Sequence, residues 1–92
     1  MSDETVRKEV TVSGRVQGVF FRSSLQEEAE RRGVSGWAEN TSEGDVRAAL
    51  EGPTESVDAV IEWCRRGPSA ADVNSVDVRE GAPSGEAGFT TR

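Results

Sequence analysis

The chain has 92 residues, of which 34% are hydrophobic, and its formal net charge is −6. This length predicts a single domain spanning residues 1–92, with one small core. The excess of acidic side chains argues against nucleic acid or an anionic membrane as a partner. No apolar run approaches the roughly 18 residues that a membrane-spanning helix needs, and the acidic residues 1–4 do not resemble a signal peptide. We therefore expect a cytoplasmic protein and, since the sequence has no obvious exposed apolar stripe, a monomer.

The composition removes several classes of catalytic site. The chain contains no histidine and a single cysteine. This excludes histidine-dependent nucleophilic catalysis, histidine metal sites and an intramolecular disulfide. We expect Cys64 to be a small buried apolar residue. An acidic chain whose single lysine is Lys8 also leads to the hypothesis of a salt-adapted source, because such surfaces remain soluble by self-repulsion.

Hydrophobic periodicity predicts two helices and four principal strands. Alternation of apolar residues indicates strands, and apolar residues three or four apart indicate helices. After a frayed stretch over residues 1–5, the predicted elements are a strand over 7–13, a helix over 21–32, a hairpin of strands over 34–40 and 45–51, a helix over 55–66, a strand within 71–80 and a short strand over 87–91.

Local signals predict how the helices begin and end. Gly33 is placed to end the first helix in the left-handed conformation, and Thr54 is placed to cap the second. Two i,i+4 ion pairs are expected on the solvent face of the first helix, Glu27–Arg31 and Glu28–Arg32.

The order of the elements predicts an α+β fold of the ferredoxin-like type. The βαββαβ order places both helices on one face of a four-stranded antiparallel sheet. A short fifth strand is added at the end of the chain, and the sequence does not indicate how it pairs. Because this fold carries many functions, it does not decide the activity.

A glycine-bracketed loop separates the first strand from the first helix. Gly14 and Gly18 let the backbone turn several N–H groups toward one point, and the helix N-terminus adds further donors. Arg22 lies in the first helical turn, where a cation opposes the helix dipole unless an anion lies between them. No acidic residue occurs from position 10 to position 26. The loop therefore predicts an anion site; the alternative is that the glycines only shape a turn and Arg22 lies in solvent.

Asn40 is the best candidate for holding a water molecule at this site. It ends the second strand, which in this topology can lie near the loop, and a carboxamide can both donate and accept. The alternative is that Asn40 simply begins the hairpin turn. The sequence has no P-loop lysine and no paired carboxylates near the loop. Phosphoryl transfer can still proceed by positioning and charge stabilisation when the leaving group is good, as a carboxylate is.

Two segments resemble the signature motifs of the acylphosphatases. The segment 14–22, Gly-Arg-Val-Gln-Gly-Val-Phe-Phe-Arg, is similar to the family loop G-x-V-Q-G-V-x-F-R, and the segment 36–40, Gly-Trp-Ala-Glu-Asn, is similar to G-W-V-x-N. Ala38 replaces the usual valine, and residues 89–92 end with fewer apolar side chains than is common in the family. The similarity covers roughly residues 7–91, and the first motif is highly specific.

The resemblance implies a metal-free and cofactor-free hydrolase that converts an acyl phosphate into a carboxylate and inorganic phosphate without a covalent intermediate. It assigns Arg22 to phosphate binding and catalysis, and Asn40 to positioning the attacking water. Thr41 would support Asn40 through its hydroxyl group. The backbone amides that would bind the phosphate are those of Arg15, Val16, Gln17, Gly18, Val19 and Phe20.

Two other functions are considered beside hydrolysis. Acylphosphatase-like domains also occur in large hydrogenase-maturation proteins, so the chain could be a module that handles carbamoyl phosphate. A ferredoxin-like module that binds phosphate without turnover is the second alternative. The absence of zinc-finger cysteines from the chain favours the free-standing enzyme.

Overall fold

The computed structural model describes residues 4–92. Residues 1–3 of the stretch expected to be frayed lie outside this range, and residue 5 already belongs to the first strand. The elements are β1 (Thr5–Arg15), α1 (Phe21–Arg31), β2 (Ser35–Asn40), β3 (Val46–Pro53), α2 (Thr54–Cys64), β4 (Asp72–Gly81) and β5 (Phe89–Thr91). The predicted order of strands and helices is therefore confirmed. Neither helix of the described chain is long and apolar enough to cross a membrane.

The sheet has five strands in the order β4-β1-β3-β2-β5. The first four are antiparallel, as the ferredoxin-like prediction requires, whereas β5 runs parallel to β2. The sheet is therefore mixed rather than purely antiparallel. Backbone bonds hold β5 at both ends: the Gly36 N–H donates to the Gly88 oxygen at 2.9 Å, and the Arg92 N–H donates to the Ala38 oxygen at 2.8 Å.

Both helices bury one apolar stripe against the sheet. The predicted stripe of α1 (Phe21, Leu25 and Ala29) is buried, and so is that of α2, which consists of Val57, Val60, Ile61 and Cys64. The facing positions of β1 and β3 are Val10, Val12, Val46, Ala48 and Leu50. Cys64 is a buried core residue, as expected, and burial raises the pKa of its thiol to about 12.

The end of α1 follows one prediction and corrects another. Gly33 has φ +72°, and the Val34 N–H donates to the Ala29 oxygen at 2.8 Å, which is the Schellman arrangement. Of the two expected pairs, Glu28–Arg32 forms, but Glu28 is buried rather than solvent-facing, and the Glu27–Arg31 pair is wrong. Glu28 is buried, and its carboxylate accepts from both Arg31 and Arg32. Because the last-turn arginines both reach back to this inward carboxylate, Arg31 pairs at i,i+3 rather than with the exposed residue 27.

The start of α2 also differs from the expectation. Thr54 is the first helical residue, and the N-cap is Pro53, which makes no side-chain capping bond. The Thr54 hydroxyl instead donates to the main-chain oxygen of Glu4 at 3.4 Å. The strand β3 continues to Pro53 and the helix follows it directly, one residue earlier than predicted, so that Thr54 is the first helical residue rather than the cap.

Candidate active site

Gly14 lets the chain leave the sheet and enter the loop. The pairing of β1 with β4 shifts register between Ser13 and Gly14, as at a β-bulge. Gly14 has φ +125°, and a Cβ atom there would lie 2.2 Å from the Asp72 oxygen. Only glycine satisfies both this backbone angle and this close approach.

Residues 17–20 form a turn that leads directly into α1. Gly18 (φ +74°) and Phe20 (φ +62°) both have left-handed backbone. Turns of this kind direct successive N–H groups into one concavity and bind anions. Phe20 is the N-cap of α1 and provides no side-chain acceptor for the first helical N–H groups, and the first turn holds no acidic residue. The start of α1 is thus left without a side-chain acceptor where it joins the loop.

Gln17 fixes the loop against the β2–β3 turn. Its side-chain nitrogen donates to the main-chain oxygens of Thr41 and Asp45, both at 2.9 Å. The Thr41 hydroxyl accepts from the N–H groups of Asp45 at 3.1 Å and Glu43 at 3.3 Å. The turn that follows Asn40 is therefore rigidly placed beside the loop.

A cleft of about 370 Å³ lies between this loop and the ends of β2 and β5. Arg22 and Asn40 both line it, with Arg22 half-buried and Asn40 exposed. The Arg22 Nη1 donates to the Arg92 main-chain oxygen at 2.5 Å, which holds the guanidinium near the end of β5. The lining contains no carboxylate and consists of Val16, Gly18, Phe20, Phe21, Arg22, Ser23, Asn40 and Thr91.

Comparison with known proteins identifies the family to which this architecture belongs. The family model described as acylphosphatase matches residues 8–91. The chain belongs to the acylphosphatase family. It is 52% identical over 90 residues to the acylphosphatase of Rubrobacter xylanophilus, covering 97% of this chain and 82% of that protein. It is 47% identical over 92 residues to that of Haloquadratum walsbyi, covering 100% and 99%.

The fold agrees with solved acylphosphatases. The structure of an acylphosphatase from Coxiella burnetii superimposes with a TM-score of 0.92 at 39% identity, covering 96% of this chain and 93% of that one. The resemblance found in the sequence motifs, the ferredoxin-like fold and the assignment to the acylphosphatase hydrolases are therefore confirmed.

The cleft contains some of the predicted site residues and not others. Five line it: Val16, Gly18, Phe20, Arg22 and Asn40. Arg15 is the last residue of β1, opposite Asp72, and Val19 packs against the core. Gln17 uses its side chain to fix the loop, and the Thr41 hydroxyl is directed to the turn amides.

Three lining residues are not among the predicted site residues: Phe21, Ser23 and Thr91. Phe21 and Ser23 flank Arg22 in the first turn of α1. The predicted start of the helix, which places Arg22 beside the loop, therefore also indicates these two neighbours. Thr91 lines the cleft because β5 pairs with β2. No local pattern in the sequence indicated this pairing.

Glu39 lies outside the cleft, as strand alternation predicts for a neighbour of Asn40. Its carboxylate lies 3.3 Å from the Arg47 guanidinium and 3.6 Å from that of Arg92. Both arginines also stack over the Trp37 ring, at 5.4 and 4.2 Å from its centroid. Within residues 4–92, cysteine and acidic side chains form no group of three placed to hold a metal ion.

Proposed function

We propose that this acylphosphatase hydrolyses the carboxyl–phosphate bond of small acyl phosphates by direct in-line attack of water. The observation that carries the proposal is the position of Arg22 and Asn40 on one cleft whose lining contains no carboxylate. A guanidinium supplies charge for the phosphoryl group, and a carboxamide supplies a neutral group that can orient water. The products are a carboxylate and inorganic phosphate.

The phosphoryl group would be held by the loop and by Arg22. The N–H groups of residues 15–20 provide donors, and the N-terminus of α1 adds a partial positive charge. A guanidinium has five N–H donors. Arg22 can therefore keep its bond to Arg92 and still form two parallel bonds to phosphate oxygens.

Asn40 would place the attacking water opposite the carboxylate leaving group. Its side-chain oxygen accepts a hydrogen bond from the water, and the water oxygen then bonds to phosphorus as the carboxyl–phosphate bond breaks. The electron pair leaves with the carboxylate, which needs little protonation. The proton released by the water goes to solvent or to the product phosphate. This route uses no metal and no covalent intermediate. We also propose that the enzyme is cytoplasmic and monomeric.

The test is hydrolysis of benzoyl phosphate with EDTA present, by wild type and by two variants. Asn40→Ala is expected to reduce kcat by at least about a hundredfold, because misplacing a reactant by about 1 Å has effects of that size. Its inhibition constant for inorganic phosphate should change little. Arg22→Lys should weaken phosphate inhibition as well as turnover, because an ammonium cannot form the bidentate contact.

Matched controls come from the same residue types elsewhere in the chain. Asn74→Ala in β4 and Arg65→Ala after α2 lie outside the cleft lining, and both should retain wild-type kinetics. Equal loss of phosphate binding in Asn40→Ala and Arg22→Lys would contradict the division of roles. Phosphate binding by a wild type that hydrolyses no acyl phosphate would indicate a sensing module instead.

A further inference from the structure

Phe20 is an exposed aromatic residue in a backbone conformation that suits glycine better. Its φ of +62° makes it the only non-glycine residue with positive φ between residues 4 and 92. Its side chain is exposed, at 80% relative accessibility. A bulky residue pays a steric cost in this region, and an exposed ring recovers none of it through burial. Stability of the fold therefore does not account for a phenyl ring at this position.

The neighbouring contacts hold the backbone at Phe20. The Phe20 oxygen accepts from the Ser24 N–H at 3.0 Å and from the Ser23 hydroxyl at 3.3 Å. The next residue, Phe21, is buried and packs edge-on against Trp63, with ring centroids 5.4 Å apart. The backbone on both sides of Phe20 is thus anchored, and this exposed residue lines the cleft that contains Arg22.

An acyl phosphate has two parts, and the polar groups of the cleft account for one. The loop amides, Arg22 and Asn40 suit the phosphoryl group and the water. An apolar acyl group needs an apolar surface beside these polar groups. Strained backbone conformations, such as that of Phe20, are typically retained at functional sites. We propose that Phe20 determines specificity for the acyl group by packing against it, and that the enzyme prefers acyl phosphates with a ring-sized apolar acyl group to acetyl phosphate. This inference rests on the proposed function.

The test compares kcat/KM for benzoyl phosphate and acetyl phosphate in wild type, Phe20→Ala and Phe20→Tyr. The diagnostic quantity is the benzoyl-to-acetyl ratio, because any effect of the substitution on the loop backbone acts on both substrates. Phe20→Ala should lower this ratio about fivefold to tenfold, the size of one aromatic contact. Phe20→Tyr retains the ring and should retain the ratio. Val78→Ala, which truncates an exposed hydrophobic side chain of β4, should leave both rates unchanged.

A second measurement makes the inference independent of turnover. Phenylphosphonate and methylphosphonate carry the same anionic head without a hydrolysable bond, and their dissociation constants can be measured by calorimetry. Wild type should bind phenylphosphonate more tightly, and Phe20→Ala should lose that preference. The same ratios in wild type and Phe20→Ala, for substrates or phosphonates, would overturn the role of Phe20. Absence of wild-type turnover would instead refute the proposed function, while the phosphonate ratio would still decide the role of the ring.

Discussion

Replacing Glu51 with glutamine should destabilise this fold far more than an ordinary surface substitution. Glu51 is only 5% exposed, and each carboxylate oxygen accepts two bonds. Oε1 accepts from Arg7 at 3.2 Å and from the Ser84 N–H at 3.0 Å; Oε2 accepts from the N–H groups of Gly85 at 2.8 Å and Glu86 at 3.2 Å. In either orientation, a glutamine places its NH₂ group against two of these donors.

The magnitude follows from the two bonds that are lost. Hydrogen bonds to a charged group contribute roughly 1.5–3 kcal/mol each. The loop that supplies the amides is largely exposed and can relax, so we take the lower bound for each bond. Glu51→Gln should then lose about 3 kcal/mol from the free energy of unfolding. For a domain of this size the melting temperature should fall by roughly 12–24 °C.

Urea and thermal unfolding followed by circular dichroism measure this loss. Glu62→Gln is the matched control, because Glu62 is 75% exposed and pairs with Arg65 on the surface of α2. Exposed pairs of this kind contribute at most about 1 kcal/mol. If Glu51→Gln unfolds within a few degrees of Glu62→Gln, the carboxylate does not hold the loop, and the reasoning fails.

The same cluster should make stability depend on pH. The Ser84 N–H holds the pKa of Glu51 below its ordinary value of 4.5; burial opposes this, and bonds from Gly85, Arg7 and Glu86 reinforce it. The unfolded chain therefore binds the proton more readily than the folded chain. The contribution is fully present above the ordinary pKa and is lost as pH falls through the lower, folded value. The difference in unfolding free energy between wild type and Glu51→Gln should shrink from pH 7 to pH 3, and a constant difference would contradict this.

Three further outcomes are expected. Cys64 should react with a disulfide reagent at pH 8 at least about a hundredfold more slowly in the native protein than in urea, because its buried thiol has a pKa of about 12; equal rates would refute this. Gly14→Ala should prevent stable folding, since its Cβ would overlap the Asp72 oxygen, whereas Gly18→Ala meets nothing within 4 Å and should cost about 1 kcal/mol in urea unfolding. Because the net charge is −6, KCl should raise kcat/KM for acyl phosphate from its value at the lowest salt, and a steady fall would count against this.

The elements were predictable because their signals are local. The α1 stripe of Phe21, Leu25 and Ala29 repeats at helical spacing, and the β3 alternation of Val46 and Leu50 repeats at strand spacing. Such patterns identify the buried face of an element without reference to the rest of the chain. The predicted elements therefore agree with the structure to within a few residues at their ends.

The loop and the end of β2 could also be placed together from the sequence. Gly14 and Gly18 mark the loop, Arg22 follows at the helix start, and Asn40 ends the strand that the topology brings beside them. Thr91 could not be placed there. A strand of three residues is too short for its periodicity to indicate which strand it pairs with. The Gln26 side chain of α1 donates to the Phe89 oxygen at 2.9 Å, but these two residues are 63 positions apart in the sequence, and no local pattern links them.

The buried carboxylates show most clearly why sequence patterns were insufficient. A glutamate is ordinarily assigned to the solvent face, and its burial is tolerated only when hydrogen-bond donors pair with its carboxylate. Glu51 meets this condition because Arg7 comes from β1 and three amides come from residues 84–86. Those amides precede β5, which places Thr91 in the lining of the cleft, and the Arg22 guanidinium donates to the oxygen of Arg92, directly after β5. The carboxylate thus holds the segment that leads to one wall of the cleft, although no residue near Glu51 in the sequence lines that cleft.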